Sequence, residues 1–223
     1  MAPRAVAGEV GALKGPIDRV TERLPAPWRT TADWVLTIVI AVGAVLAIKA
    51  WVVNPYRIPS ASMEPTLHCA RPGLECEARF SDRVLANRFI YHFKEPERGD
   101  IIVFDTPPEA ADGCNGASGT FVKRLVGLPG ETIDFRRGVV FVNDRPLDET
   151  YLPRRPNGRR VPTGLTDDPA IVVPYKVPAG HYLMLGDNRD SSCDSREWGP
   201  LPRENIIGEV FSVYWPPQRI GFN

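Results

Sequence analysis

At residues 120–130 the chain reads TFVKRLVGLPG. The first seven residues combine β-branched, aromatic and basic side chains, and the Gly-Leu-Pro-Gly that follows is typical of a turn, so the stretch predicts a β-strand over Thr120–Val126. Because side chains alternate across a strand, we expect Phe121, Lys123 and Leu125 on one face. Lys123 would then have apolar neighbours.

Short runs of the same kind recur on both sides of this strand, each bounded by turn residues. The 23 prolines and 19 glycines are many for a helical bundle, since they end helices but fit the turns between strands. Arg136-Arg137-Gly138 predicts a hairpin turn, and residues 153–169, which lack periodicity, predict an exposed loop. The sequence thus predicts a mainly β fold, an antiparallel β-sheet domain whose further strands are Arg83–Ala86, Asp100–Phe104, Thr132–Phe135, Val139–Val142, His181–Leu185 and Ile206–Trp215.

Ahead of these strands lies an apolar run, WVLTIVIAVGAVLAIKAWVV, at residues 34–53, with Lys49 as its single charge. About 20 apolar residues suffice to cross the hydrocarbon core of a bilayer, so the run predicts one transmembrane helix. A buried core helix and a cleaved signal peptide are the alternatives. A signal peptide would have a shorter run followed by small residues, whereas this run continues into Asn54-Pro55.

Basic residues precede the apolar run, among them Arg4, Lys14 and Arg19. The positive-inside rule therefore predicts a cytoplasmic segment over residues 1–33 and an extracytoplasmic β-rich domain over residues 54–223. In the chain as a whole, 27 basic and 27 acidic side chains cancel, so no global field favours a nucleic acid partner.

All four cysteines follow the apolar run, an even number in what would be an oxidising compartment. Three pairings are possible. The short Pro/Gly-containing loop between Cys69 and Cys76 favours that pair, and hence a bond between Cys114 and Cys193. No metal site is expected, because no CxxC pair occurs and the three histidines lack the spacing of ligands.

A candidate nucleophile lies in IPSASMEPTL at residues 58–67. Pro59 and Pro65 restrict the backbone on either side of Ser62, so we expect Ser62 on a stiff, extended support. Taken alone, a Pro/Ser-rich stretch beside a membrane segment is equally consistent with a linker.

A serine hydroxyl needs a base, and the sequence has no G-x-S-x-G elbow and no histidine in a familiar catalytic setting. Lys123 is the better candidate. Its ammonium is protonated at neutral pH in water, but burial without a counter-ion can lower a lysine pKa by up to about 3–5 units. Arg124 cannot replace it, because a guanidinium stays charged. The alternative is a lysine on an exposed edge strand.

A polar loop, LGDNRDSSCDSREWG, occupies residues 185–199. Its dense Asp, Asn, Arg and Ser side chains indicate internal hydrogen bonds and paired charges that would hold one shape and support a catalytic lysine. An ordinary solvated loop is the alternative.

These segments, together with RGDIIVF at residues 98–104, resemble the ordered sequence boxes of bacterial type I signal peptidases. The resemblance runs from the apolar segment through PSASMEPTL, RGDIIVF, FVKRLVGLPG and GDNRDSSCDSREWG, and so covers most of the chain from residue 34 onward. It implies that Ser62 is the nucleophile and Lys123 the general base. It also implies an oxyanion hole formed by the Ser60 hydroxyl and the Ser62 N–H.

The same resemblance implies that Ser192 orients the lysine and that Asp187, Asp194 and Arg196 are structural charges. It implies cleavage of signal peptides after an Ala-x-Ala type motif through an acyl-enzyme, with the lipid bilayer as a second partner and no cofactor. Small apolar pockets would reject larger side chains. A monomer is expected. The substrate-binding walls implied by the resemblance are Tyr56, Ile58, Met63, Leu67, Phe121 and Val122.

The chain departs from the family pattern at Cys193, where alanine is commoner, and its single span resembles the shorter members. A self-cleaving SOS-type repressor shares the Ser/Lys pair but would carry a DNA-binding domain, which residues 1–33 do not resemble. A membrane-anchored β domain without enzymatic activity is the remaining alternative.

Overall fold

The computed structural model describes residues 26–114, 116, 118–155 and 158–222. The chain divides into two compact units, residues 1–50 and residues 51–223. Most of the basic residues that predict a cytoplasmic N-terminus lie in residues 1–25, outside the described part.

The first described element is helix α1, Ala26–Trp51. It begins earlier than the predicted 34–53 because hydropathy marks the apolar run and not the helix start, and Pro27 is tolerated in a first turn. It ends ahead of Asn54-Pro55, where the residue before proline disfavours helix. Its 18-residue stretch Thr30–Ala47 is apolar and long enough to cross a membrane by length and composition.

The second unit consists mainly of antiparallel strands, so the predicted fold class is confirmed. One sheet has the order β1-β2-β11-β3-β4-β9-β10, with β12 paired to β11, and the other has the order β7-β6-β5-β8. The strands are β1 Val53–Arg57, β2 Arg83–Asn87, β3 Ile101–Asp105, β4 Thr120–Gly127, β5 Thr132–Arg136, β6 Val139–Val142, β7 Arg145–Pro146, β8 Tyr175–Lys176, β9 His181–Leu185, β10 Leu201–Pro202, β11 Ile206–Trp215 and β12 Gly221–Phe222.

Helical segments are short in this unit. They are α2, Glu109–Gly113, and α3, Ser195–Trp198, with 3₁₀ turns at Ala61–Met63, Ile90–His92, Arg203–Asn205 and Pro217–Arg219.

All seven strands predicted from the sequence are present. The predicted hairpin turn between β5 and β6 is also present, with Arg137 at φ +53° and Gly138 at φ +82°, the left-handed pair that a two-residue hairpin requires. Strand β1 was missed, because Pro55 argues against a strand; it is tolerated here since β1 lies at the edge of its sheet. Strand β1 also takes up Val53, which the apolar run had assigned to the helix.

The position of strand β3 explains why residues 101–104, the IIVF of RGDIIVF, are all apolar and do not alternate with polar residues. Ile101 and Val103 pack into one buried cluster with Val84 and Val210, whereas Ile102 and Phe104 pack into another with Leu125 and Met184. A strand covered on both faces needs apolar residues on both. Its neighbour β4 is in register with it, and Lys123 lies opposite Ile102.

Candidate active site

Ser62 lies in a 3₁₀ turn, Ala61–Met63, a few residues after β1. The predicted extended support is therefore wrong. Each proline restricts only itself and the residue before it, so Pro59 and Pro65 leave residues 61–63 free to turn. The turn is closed by the Glu64 N–H, which donates to the carbonyl of Ala61 at 3.0 Å.

Lys123 projects from β4 toward this turn. Its Nζ donates a hydrogen bond to Ser62 Oγ at 2.7 Å, although the two residues are 61 positions apart. Both side chains are buried, Lys123 at 4% exposed and Ser62 at 8%. The predicted face of β4 is correct, since the Lys123 Nζ lies 5.3 Å from the centre of the Phe121 ring.

Burial lowers the pKa of the Lys123 ammonium to about 8. Asp194 and Asp187 act to raise this pKa, and Arg196 acts to lower it, but the loss of water around the charged form is the largest effect. The arrangement therefore contains a hydroxyl next to an amine that can lose its proton close to neutral pH.

Ser60 lies beside the pair. Its backbone is extended, at φ −131° and ψ 159°, and its Oγ is 3.3 Å from Ser62 Oγ. The side chain is exposed and lines the cleft that contains Ser62.

The polar loop after β9 packs against the back of the nucleophile turn. The N–H of Asn188 donates to the carbonyl of Ser62 at 3.1 Å. Gly186 is required by this close approach, because a Cβ there would overlap the Ser192 side chain and lie 2.5 Å from the Ser62 carbonyl oxygen. Within the described part of the chain, the buried Ser192 hydroxyl has no hydrogen-bond partner, so its lysine-orienting role stays a prediction.

Two carboxylates of this loop form ion pairs, as the sequence led us to expect. Asp187 accepts hydrogen bonds from Nε and Nη2 of Arg124 at 2.8 and 2.6 Å, and from Thr66 Oγ1 at 2.6 Å. Asp194 accepts from Nε and Nη2 of Arg196 at 2.8 and 2.9 Å.

The Asp194 carboxyl is completely buried. Burial alone would raise its pKa, but the charge and hydrogen bonds of Arg196, with the N–H of Gly186, hold the pKa below its usual range. Asp194 therefore stays ionised near Lys123.

A third buried pair was missed by sequence reasoning. Arg189 donates to both carboxylate oxygens of Glu149, and both side chains are at most 4% exposed. The guanidinium also contacts Thr163 and the Tyr151 hydroxyl. Arg189 belongs to the charged loop, but its partner lies 40 residues upstream in a stretch with no recognisable pattern.

The cleft around the Ser/Lys pair has a volume of about 400 Å³. Leu67 is an exception among the predicted walls: it is fully buried and packs in the core with Met63. The sequence did not point to further lining groups from Arg57, Ser118, Thr120 and Ser191. The other five predicted walls all line the cleft, namely Tyr56, Ile58, Met63, Phe121 and Val122.

A second groove, of about 800 Å³, is larger but polar and open. Its lining includes Asp168, Asp190 and Glu197 but neither Ser62 nor Lys123. The smaller cleft is the one that contains a nucleophile and a base.

Both favoured disulfides are present, Cys69–Cys76 and Cys114–Cys193, which confirms the predicted pairing. The second joins the end of α2 to the polar loop, and its two cysteines line the cleft.

The family model described as "Signal peptidase, peptidase S26" matches residues 31–215. The chain belongs to this signal peptidase family. The family predicted from the sequence boxes is thereby confirmed, and with it the assignment as a serine peptidase of the class that removes signal peptides.

Several proteins described as signal peptidases are similar to this chain in sequence. The chain is 39% identical to the "Signal peptidase I" of Leptolyngbya laminosa over 190 residues, which cover 85% of this chain and 82% of that protein. It is 36% identical to the "Probable signal peptidase I-2" of Synechocystis sp. over 195 residues, 87% of this chain and 78% of that protein. A crystal structure of a signal peptidase I from Enterococcus faecalis V583 aligns with 52% of this chain and 97% of its own, at 30% identity and a TM-score of 0.38.

Proposed function

We propose that this signal peptidase is a membrane-bound endopeptidase that cleaves preproteins after a small-x-small motif, typically Ala-x-Ala, with Ser62 as nucleophile and Lys123 as general base. The observation that carries the proposal is the 2.7 Å distance between Lys123 Nζ and Ser62 Oγ inside a buried pair. A lysine with a pKa of about 8 can supply a neutral amine at working pH.

In the first step the neutral Lys123 amine accepts the Ser62 proton while Oγ attacks the scissile carbonyl carbon. The hydrogen bond between them then runs from the hydroxyl to the amine. The protonated lysine next gives its proton to the leaving amine, which leaves an acyl-enzyme. Lys123 then takes a proton from the water molecule that attacks the ester, and gives this proton to Ser62 Oγ as the bond between Oγ and the acyl carbon breaks.

The oxyanion that forms in each attack needs donors close to the nucleophile. The Ser60 hydroxyl, 3.3 Å from Ser62 Oγ, and the N–H of Ser62 supply them. Asp187, Asp194 and Arg196 act more remotely by holding the loop that contacts the Ser62 carbonyl through Asn188. Ser192, next to this loop contact, orients Lys123.

The side walls of the cleft determine specificity. Five side chains form apolar and aromatic walls in the cleft of about 400 Å³ that would receive the substrate, namely Tyr56, Ile58, Met63, Phe121 and Val122. Small side chains at P1 and P3 fit such pockets, whereas larger ones would clash with apolar walls in a packed domain.

Helix α1 is the membrane anchor. Its 26 residues correspond to about 39 Å of helix, which exceeds the roughly 30 Å of hydrocarbon in a bilayer. The N-terminus faces the cytoplasm, and the peptidase unit lies outside, where two disulfides are stable. Because one chain supplies both Ser62 and Lys123, the monomer is the active form.

The proposal is tested with detergent-solubilised protein and a preprotein that carries Ala-x-Ala at its cleavage site, beside the Ser62→Ala variant. Sequencing of the product's new N-terminus is expected to show cleavage after the second alanine by the wild type alone. Cleavage at another position argues against the specificity, and equal cleavage by Ser62→Ala argues against the dyad.

A further inference from the structure

The C-terminal segment, residues 216–222, folds back onto the peptidase unit. Strand β12 pairs with Ser212 and Val213 of β11, and Ser212 Oγ donates to the carbonyl of Gly221 at 2.8 Å. The segment follows the region matched by the family model, which ends at residue 215. It therefore contributes contacts that the family match does not describe.

A 3₁₀ turn in this segment presents Arg219 to a buried carboxylate. Arg219 Nε donates to both oxygens of Asp82, at 2.9 and 3.0 Å, and Nη2 donates to the carbonyl of Thr66 at 2.8 Å. Asp82 is completely buried, so its charge depends on this guanidinium for compensation.

Asp82 holds both ends of the segment that contains the nucleophile. Its carbonyl accepts the N–H of Ile58 at 3.0 Å, ahead of Ser62. Its Oδ2 accepts the N–H of His68 at 2.8 Å, after Ser62. The segment that contains the Ser62 turn is therefore bound to Asp82 at both of its ends. Arg219 fixes the orientation of the Asp82 side chain.

Thr66 extends the same network toward the base. Its carbonyl is bound by Arg219, and its hydroxyl donates to Asp187 at 2.6 Å. Asp187 is paired with Arg124, the neighbour of Lys123 on β4. The Arg219 guanidinium thus binds Asp82, which holds the segment that contains Ser62. It also binds Thr66, which is linked through Asp187 to the neighbour of Lys123 on β4.

We propose that Arg219 is a positioning residue for catalysis, which keeps Ser62 Oγ within hydrogen-bond distance of Lys123 Nζ by holding Asp82 and Thr66. The proposal rests on the proposed function of the Ser62/Lys123 pair. It has a measurable consequence, because a displacement of about 1 Å between reacting groups can cost on the order of 100-fold in rate.

The test compares kcat and KM of the full chain with those of Arg219→Gln and Arg219→Lys. The Gln variant is expected to lose about tenfold or more in kcat with a smaller rise in KM, because Ile58 and Met63 lie in the same segment as Ser62, whereas the walls on β4 stay in place. The Lys variant is expected to have an intermediate kcat, because an ammonium can still bind Asp82 but cannot also reach Thr66 in the same fork. The matched control is Arg136→Gln, which removes an exposed arginine paired with Asp134 and Asp144 and should leave kcat unchanged.

All rates are measured well below the melting temperature of each variant. A Gln variant that melts earlier but keeps the wild-type kcat while folded overturns the proposal, because Arg219 would then have only a structural role. If the Gln variant does not fold, the Lys variant decides: a kcat that falls by a larger factor than KM rises supports positioning, and an unchanged kcat overturns it.

Failure of the proposed function gives a different result. In that case either the Ser62→Ala variant cleaves the preprotein as well as the wild type does, or the wild type does not cleave it. Ser62-dependent cleavage with full activity in Arg219→Gln overturns the role of Arg219 alone.

Discussion

The fold excludes water from the basic side chain of Lys123. Lys123 lies opposite Ile102 in β3 and beside Phe121 on its own strand, and burial lowers its pKa to about 8. Arg124, the next residue, is buried too, yet it remains charged because a guanidinium does not lose its proton and Asp187 binds it in two places. Lys123 and Arg124, which lie on opposite faces of β4, therefore differ in their ionisation: Lys123 is an amine that can lose its proton, and Arg124 is a permanent cation.

The ionisation of Lys123 predicts the pH dependence of the reaction. Protonated lysine cannot accept the Ser62 proton, so kcat/KM should rise with pH and level off above about 8. Below that midpoint the neutral fraction, and with it kcat/KM, falls about tenfold per pH unit. A pH profile of peptide cleavage measures this, with Lys123→Arg as an inactive control at every pH. A flat profile, or a midpoint close to that of a solvated lysine, would contradict the prediction.

At the scale of elements, the loop between β9 and α3 organises the site. Its charged side chains form buried ion pairs with Arg124, Arg196 and Glu149, which hold the loop in place. Gly186 allows the loop to approach the nucleophile turn closely. The Cys114–Cys193 disulfide ties the loop to α2 across 79 positions of sequence. The buried charged side chains of this loop therefore bind protein groups inside and outside the loop, whereas Asp190 is exposed.

Removal of the long-range disulfide, by Cys114→Ser with Cys193→Ser, should destabilise the peptidase unit by about 4 kcal/mol in the chain-entropy description. We also expect a lower kcat, because the freed loop supports Ser62. The comparison is Cys69→Ser with Cys76→Ser, which opens a loop of sequence separation 7 and should cost about 2 kcal/mol. Urea unfolding and peptide cleavage measure both effects. An equal or smaller loss of stability in the Cys114/Cys193 variant would refute the prediction.

At the scale of the molecule, the chain combines an apolar helix with a compact β unit, residues 51–223. The described buried clusters, the cleft and both disulfides lie in that unit. In the proposed function, the chemistry therefore depends on the β unit, and the helix serves as the membrane anchor.

Deletion of residues 1–50 tests this division of labour. The shortened chain should fold and cleave a soluble peptide containing Ala-x-Ala with the kcat/KM of the full chain, since every group of the proposed mechanism is retained. It should process a preprotein embedded in vesicles more slowly, because enzyme and substrate no longer share a membrane. Circular dichroism establishes folding, and Ser62→Ala in the shortened chain is the blank. Loss of soluble-peptide cleavage by a folded unit would show that the helix is needed for chemistry.

The sequence by itself determined the features that depend on local pattern. Seven of the eight strands that are longer than two residues follow from β-branched and aromatic runs bounded by turn residues, the apolar helix from length and hydropathy, and the family from four ordered boxes. Cysteine spacing also led to the correct pairing. Each of these is a property of neighbouring residues or of their order along the chain.

Tertiary structure decided what depends on distant partners. The two-residue strands β7, β8, β10 and β12 carry no local signal and form because another strand lies beside them. The turn at Ser62, the burial of Leu67 away from the cleft and the Arg189–Glu149 pair depend likewise on residues remote in sequence. So does the 2.7 Å contact between Ser62 and Lys123. The residue types provide a hydroxyl and an amine. The distance between Ser62 and Lys123, their burial and the lowered pKa of Lys123 arise only when the sheet brings β4 against the nucleophile turn and excludes water from the contact.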